Sequence, residues 1–442
     1  MSVKKNVSFI FVSQIINTAL SFITSVIVTG MLGTTGKGDL ALFSNSISFI
    51  VLFLGFSISS TIPFFINSGK AKAEELLTTI IIFSIASTGL VFITLYILEN
   101  TGKLHWALPD NAQSLYFKII FTLVYFNTLI IGVLSTFLAA FKKFKAISIF
   151  TVTTQLIPAI IYSLFYFDII AYDHENPFTV VLLITTAVSL FSVIAIAVVF
   201  AKLLPVKPVK KLIPLTLVKQ FVLFSSLAYL TNIAQFFNYK LDFWVVDEYC
   251  GKSQLGVYAL ASQLSQMLWM LPAAIATVLY AYASSVSQEE AIKYAIRLKQ
   301  VAFYGTLLLG FIGLLLAFYL IPVLYGKEFS YAFDLLKLFL LGVIPFSIPT
   351  VLINLFAARG NFKISFVIAI FVFIISTAMY FILIPRFGPR GGAIASSCAY
   401  IIASIACEIW FCKEYKVSYL NLFQIDKTIF TISGIKKIIS RN

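Results

Sequence analysis

The sequence predicts an all-α polytopic membrane protein, with twelve transmembrane helices in two pseudo-symmetric six-helix bundles around a central cavity. Three observations predict it. Of 442 residues, 60% are hydrophobic and 11% are charged, where a soluble chain carries roughly 25% charged residues. Lipid must therefore solvate much of the apolar surface. Apolar runs of about 20 residues follow one another along the chain. The chain also repeats itself at an offset of 218 residues. Gly38-Asp39-Leu40-Ala41-Leu42 falls on Gly256-Val257-Tyr258-Ala259-Leu260, and Leu138-Ala139-Ala140-Phe141-Lys142-Lys143-Phe144-Lys145 falls on Phe356-Ala357-Ala358-Arg359-Gly360-Asn361-Phe362-Lys363. A six-helix unit duplicated in the same orientation is the architecture of a carrier.

The apolar runs place the first six spans near 6–32, 39–67, 76–98, 115–140, 147–170 and 178–204. The second six fall near 219–246, 254–283, 298–324, 334–358, 364–385 and 391–412. Runs longer than a perpendicular helix needs imply tilt or interfacial ends. Tyr and Trp gather near span ends, where amphipathic rings sit at headgroup level. The run behind the basic stretch Met1–Lys5 is too long for a signal-peptide core and has no cleavage site, so it is expected to stay as a helix.

Lys and Arg are concentrated on alternate connections. Lys4, Lys5, Lys70, Lys72, Lys142, Lys143, Lys145, Lys207, Lys210 and Lys211 share one side, while the other holds Lys37, Lys103, Lys252, Lys327, Arg386 and Arg390. The positive-inside rule then places both termini in the cytoplasm. The net charge of +14 is strung along a membrane face, which argues against nucleic acid as a partner. Residues 1–204 and 219–412 read as the two bundles. The stretch 205–218 reads as a basic cytoplasmic linker suited to the anionic leaflet, and 413–442 as a basic cytoplasmic tail, either an interfacial amphipathic helix or disordered.

Several motifs fail. Gly30 to Gly38 (GMLGTTGKG) approaches a phosphate-binding loop, but Gly38 stands where a hydroxyl must follow the lysine; it reads as a tight turn. His105 and His174 are the only histidines and both fall in outer loops. Cys398, Cys407 and Cys412 share the last helix and Cys250 lies alone, so neither a disulfide framework nor a metal site is implied. No catalytic arrangement and no cofactor are indicated.

The offset exposes a polar stripe. Gln14, Asn17, Ser21 and Thr24 share one face of the first helix, and Asn232, Gln235, Tyr239 and Asp242 repeat it in the seventh. Asn238 widens that face, although its counterpart Leu20 is apolar. Polar side chains in hydrocarbon need a partner or water. They line a hydrated cavity or they bond between helices; recurrence in both halves favours the cavity. Lys240 and Asp242 add charge to the seventh helix, a cost of roughly 2.5–3.5 kcal/mol each near the bilayer centre. Asp242 lies on the stripe and Lys240 does not. Either they serve transport or they snorkel to the outer interface. Glu408 is expected to snorkel at the inner boundary, Lys118 and Asp168 to be interfacial, Asp334 and Lys337 to neutralise one another, and Asp39 to face helix-start amides.

The run from Lys240-Leu-Asp-Phe-Trp-Val-Val to Leu255-Gly256-Val257-Tyr258-Ala259-Leu260-Ala261 resembles the seventh-to-eighth helix region of Wzx-type polysaccharide flippases. Leu383-Ile384-Pro385-Arg386-Phe387-Gly388-Pro389-Arg390-Gly391-Gly392-Ala393-Ile394-Ala395 resembles their eleventh-to-twelfth helix turn. Met31-Leu32-Gly33 through Gly36-Lys37-Gly38-Asp39 resembles their first loop. The resemblance, to a branch of the multidrug/oligosaccharidyl-lipid/polysaccharide exporter superfamily, covers essentially the whole chain. It implies alternating access, a bacterial cytoplasmic membrane, and an undecaprenyl-diphosphate-linked oligosaccharide moved from the inner to the outer leaflet. It also implies a cationic cavity residue for the diphosphate, which Lys240 matches best, and leaves room for a coupling ion (H+ or Na+). A cation-coupled multidrug antiporter of the same superfamily, using Asp242, is the alternative. A lipid II flippase is less favoured because those carry further helices and more cavity arginines. A membrane polymerase or acyltransferase lacks its catalytic cluster here.

Overall fold

The computed structural model describes residues 3–55, 58–108, 114–171, 173–283 and 286–417, and these residues form helices joined by short connections. The tail beyond residue 417, on which an interfacial helix or disorder was expected, lies outside the described residues. Among the described residues the α-helices, in order, are α1 (Val3–Leu54), α2 (Ile58–Asn67), α3 (Ala73–Asn100), α4 (Leu115–Ala140), α5 (Phe144–Tyr166), α6 (Pro177–Leu203), α7 (Leu215–Gln266), α8 (Met270–Ala283), α9 (Gln288–Leu324), α10 (Tyr331–Ala358), α11 (Phe362–Phe387) and α12 (Pro389–Tyr415).

Spans and helices do not coincide one to one, and the reason is local. Both α1 and α7 run for 52 residues, and each is bent at a single glycine, Gly33 (φ 62°, ψ −169°) and Gly251 (φ 79°, ψ 172°). Only glycine enters that backbone region without strain. The two bends stand at the same offset as the sequence repeat. Each bend divides its long helix into two successive spans. The second span of each pair is completed by a short helix, α2 in the first half and α8 in the second.

The chain forms two compact units. The first comprises Met1–Phe236, Gly251–Val257 and Leu324–Glu328; the second comprises Phe237–Cys250, Tyr258–Val323 and Phe329–Asn442. The division falls inside α7. In the first unit α1 packs on α5, and α4 packs on α2, α3 and α6. One core there gathers Phe43, Phe121, Tyr125, Tyr162 and Leu182, and another gathers Phe65, Leu77, Phe137 and Phe200. In the second unit α12 packs on α10 and α11, and α10 on α8, around Leu298, Leu352, Phe356, Cys407 and Phe411. Gly342 lets α10 approach the backbone of Ser397 on α12, whose Oγ donates to the Leu338 carbonyl at 2.6 Å. Small residues at such crossings admit the close packing that apolar solvent cannot drive.

Outward faces stay apolar. On α3, Ile85, Leu90, Ile93 and Ile97 are more than half exposed, as are Leu308, Phe311, Leu315 and Val323 on α9. Lipid is the solvent that accepts them. The linker is no loose tether. Its Val206 and Ile213, with Leu204 just before it, are buried in the second core of the first unit. The Val209 amide donates to Thr78 Oγ1 at 2.9 Å and the Ile213 amide to Thr79 Oγ1 at 3.1 Å, while Lys211 pairs with Glu75 at 3.4 Å.

Candidate functional site

The predicted stripe is shared between the two units. Gln14, Asn17, Ser21, Thr24, Asn232 and Gln235 belong to the first, and Asn238, Tyr239, Lys240 and Asp242 to the second. In the first unit Gln14 and Asn232 are exposed, while Asn17, Ser21, Thr24 and Gln235 are half-buried. Asn17 Oδ1 and Thr24 Oγ1 are buried atoms with no hydrogen-bond partner. A buried polar atom left in that state costs about 1–3 kcal/mol.

In the second unit the stripe is bonded to its neighbours. Asp242 is buried, with 2% exposure. Its carboxylate accepts from the Tyr258 hydroxyl, from Ser396 Oγ at 3.3 Å, and from the Phe243 amide at 3.1 Å. Asn238, also buried, donates through Nδ2 to the Ala369 carbonyl at 3.2 Å and accepts from Ser376 Oγ at 2.9 Å. Its own carbonyl receives the Tyr380 hydroxyl at 3.1 Å, and Tyr380 Oη lies 3.1 Å from Ser396 Oγ. One continuous network thus joins α7, α11 and α12, with a carboxylate at its centre. Networks of this kind hold a unique arrangement when every member is satisfied.

Lys240 makes none of the hydrogen bonds of that network and meets it only through charge attraction to Asp242. Its Nζ lies 4.5 Å from the centroid of the Phe243 ring, a cation–π contact. Tyr239 turns to another neighbourhood, with its ring 5.1 Å from Trp269 and 6.1 Å from both Phe346 and Tyr400.

Sequence reasoning missed the donors around Asp242 and Asn238. Tyr258, Ser396 and Ser376 have apolar counterparts (Leu40, Phe178 and Pro158) at the repeat offset, so symmetry pointed away from them. Tyr380 had a usable signal, because it falls on Tyr162, whose hydroxyl lies 2.8 Å from Thr185 Oγ1. Two of the remaining charges found partners on other helices, and two paired within one helix. Glu408, expected to snorkel, meets Lys299 of α9, and Lys118 meets Glu99 of α3. Asp334 and Lys337 pair at 2.7 Å.

Residues 3–287 match the family model described as "Polysaccharide biosynthesis protein", and residues 228–382 match the one described as MatE. No curated protein matches the sequence. Among solved structures, the lipid II flippase MurJ in an inward closed conformation is similar, with a TM-score of 0.70 and 16% identity, over 98% of this chain and 92% of that one. A multidrug resistance MATE family transporter of the MOP superfamily, inward-facing, gives a TM-score of 0.66 at 16% identity, over 90% and 94%. A point mutant of the Vibrio cholerae MATE transporter VcmN gives 0.59 at 14% identity, over 94% and 95%. At these identities the likeness is one of fold.

Proposed function

The chain belongs to the polysaccharide biosynthesis protein family, and we propose that it is a flippase for undecaprenyl-diphosphate-linked oligosaccharide repeat units in surface polysaccharide biosynthesis. It carries them from the inner to the outer leaflet of the bacterial cytoplasmic membrane by alternating access, with both termini cytoplasmic. The observation that carries this reading is the family match across the first bundle and into the second, on a fold shared with multi-pass transporters.

Physical chemistry supports the same cargo. A saccharide head cannot cross about 30 Å of hydrocarbon unaided, because each hydroxyl left without a partner costs several kcal/mol there. Gln14, Asn17, Ser21, Thr24, Asn232 and Gln235 offer neutral donors and acceptors, which suit neutral sugars. Lys240 supplies the cation for the diphosphate, and membrane lipid receives the polyprenyl chain. Asp242, held by Tyr258 and Ser396, is the group through which H+ or Na+ would couple to transport.

One observation favours a second reading. The MatE match spans residues 228–382, which include Asp242, Tyr258, Ser376 and Tyr380, so a cation-coupled multidrug antiporter competes with the flippase. Reconstituted protein with fluorescent undecaprenyl-diphosphate oligosaccharide decides between them. Protein-dependent flipping, abolished in Lys240→Ala or Asp242→Asn, supports the flippase and its site. Export of organic cations without flipping of any lipid-linked sugar transfers the assignment to the antiporter. Flipping that ignores both substitutions keeps the function and removes these two residues from it.

A further inference from the structure

Four aromatic rings of the second unit form a closed group that the stripe reaches through Tyr239. Besides the contacts of Tyr239, Trp269 lies 5.6 Å from Phe346 and 5.8 Å from Tyr400, and Phe346 lies 4.9 Å from Tyr400. Every pair is within stacking or edge-to-face range. The rings come from four elements: α7, the 3₁₀ turn Met267–Trp269, α10 and α12.

Three features separate this group from ordinary packing. First, Trp269 Nε1 is buried without a hydrogen-bond partner, whereas a buried indole N–H normally has one. Second, regular α-helical hydrogen bonding is interrupted where two of the rings attach, by a change of helix type at one and by prolines, which have no N–H to donate, beside the other. The eighth span breaks into a 3₁₀ turn at Trp269, and Phe346 sits between Pro345 and Pro349 in α10. Interrupted spans concentrate where a membrane protein lines a binding cavity. Third, the duplicated fold does not need the rings. At the repeat offset, Tyr239, Trp269, Phe346 and Tyr400 fall on Ser21, Val51, Thr128 and Leu182. The first bundle builds the same helices with no aromatic group there.

We propose that Tyr239, Trp269, Phe346 and Tyr400 form a sugar-recognition site, binding the C–H face of a neutral pyranose of the cargo. The Trp269 indole N–H donates to one of that sugar's oxygens. The inference rests on the flippase reading and deepens it by assigning the saccharide, separately from the diphosphate, to this place. The chemistry selects a sugar over an organic cation. Both are attracted to ring faces, but an unpaired N–H presents the positive end of its dipole, which repels a cation and is satisfied by a hydroxyl or ring oxygen. Tyr239, Trp269 and Phe346 keep some exposure, and Tyr400 alone of the four is buried.

The test measures equilibrium binding of two probes to the full chain in lipid nanodiscs free of sugar detergents. One probe is undecaprenyl diphosphate; the other is the same lipid bearing a neutral trisaccharide. Wild type is compared with Trp269→Phe, which keeps a ring and removes the N–H, and with Tyr400→Leu, which installs the residue of the first bundle. The expected result is tighter binding of the trisaccharide lipid to wild type. Trp269→Phe should weaken that binding about fivefold, the scale of one net hydrogen bond, and leave the sugar-free lipid unchanged. Tyr400→Leu should weaken it further; if its melting temperature falls, the conservative Trp269→Phe alone decides. Equal affinity of wild type for both lipids overturns the sugar site and leaves the flippase reading standing. So does a Trp269→Phe variant that binds the trisaccharide lipid as wild type does. Failure of both lipids to bind wild type overturns the flippase reading and this inference with it.

Discussion

Gly38 and Gly256 cross backbone to backbone within the first unit. A methyl group built on Gly38 would strike the Lys252 carbonyl, and one on Gly256 would strike the Thr34 carbonyl. The two clashes are images of one another under the repeat. Ser253 Oγ donates to Thr34 Oγ1 at 2.9 Å beside them. Backbone cannot yield as a side-chain tip can, so Gly38→Ala and Gly256→Ala should each lower stability by about 3 kcal/mol or more. Gly89→Ala in α3, with nothing within 4 Å of the added carbon, should instead gain about 0.5–1 kcal/mol. Thermal unfolding of the three variants checks the contrast, and a tolerated Gly38→Ala would show the crossing to be loose.

The Asp242 carboxylate depends on donors from two other segments. Tyr258→Phe keeps the ring and deletes one of them, leaving a buried acceptor short of a bond. The expected cost is about 1–3 kcal/mol. In the Asp242→Asn background the same substitution should cost less, because a neutral amide loses a weaker bond. A double-mutant cycle in a reversible detergent-unfolding assay measures the difference; additive effects would mean the two groups do not interact.

Lys299 and Glu408 form an ion pair between α9 and α12, with side-chain exposures of 3% and 17%. Removing one partner strands a buried charge. Lys299→Met alone should therefore cost about 3–5 kcal/mol, whereas Lys299→Met with Glu408→Leu should come close to wild type. If the double variant is no better than the single one, the pair matters for more than its charges.

Thr78 and Thr79 hold the linker by accepting two of its amides. Thr78→Val with Thr79→Val should loosen the linker while its buried Val206 and Ile213 resist. Trypsin should then cut after Lys210 or Lys211 several-fold faster than in wild type, read by the appearance of two half-length fragments. Unchanged cleavage would assign the restraint to the apolar anchors alone.

The spans were legible because lipid imposes a long apolar run whatever the neighbours are. The bends at Gly33 and Gly251 were foreshadowed by the glycine-rich first turn and by the repeat. Sequence spacing gives depth along a helix and a face around it, but not which helix stands opposite. That is why Glu408 read as a snorkelling side chain when Lys299, from a helix far along the chain, was its partner. It is also why Asp242 read as facing water or a coupling cation, with Tyr258 and Ser396 unseen. The aromatic group around Tyr239 escaped for a further reason: it breaks the repeat, and the stripe is visible in the sequence only through the repeat.

The crossing of Gly38 with Gly256 sets a timetable for biosynthesis. At about 5–20 residues per second, the ribosome delivers the later turn roughly 10–45 s after the earlier one. Until then the Gly33 turn waits without its counterpart, and the nascent first half must be kept in shape by its own two cores. Docking of a late-made turn onto an early-made one is thus a closing step of assembly, and a chain stalled before Gly251 would carry that vacant seat to the quality-control proteases.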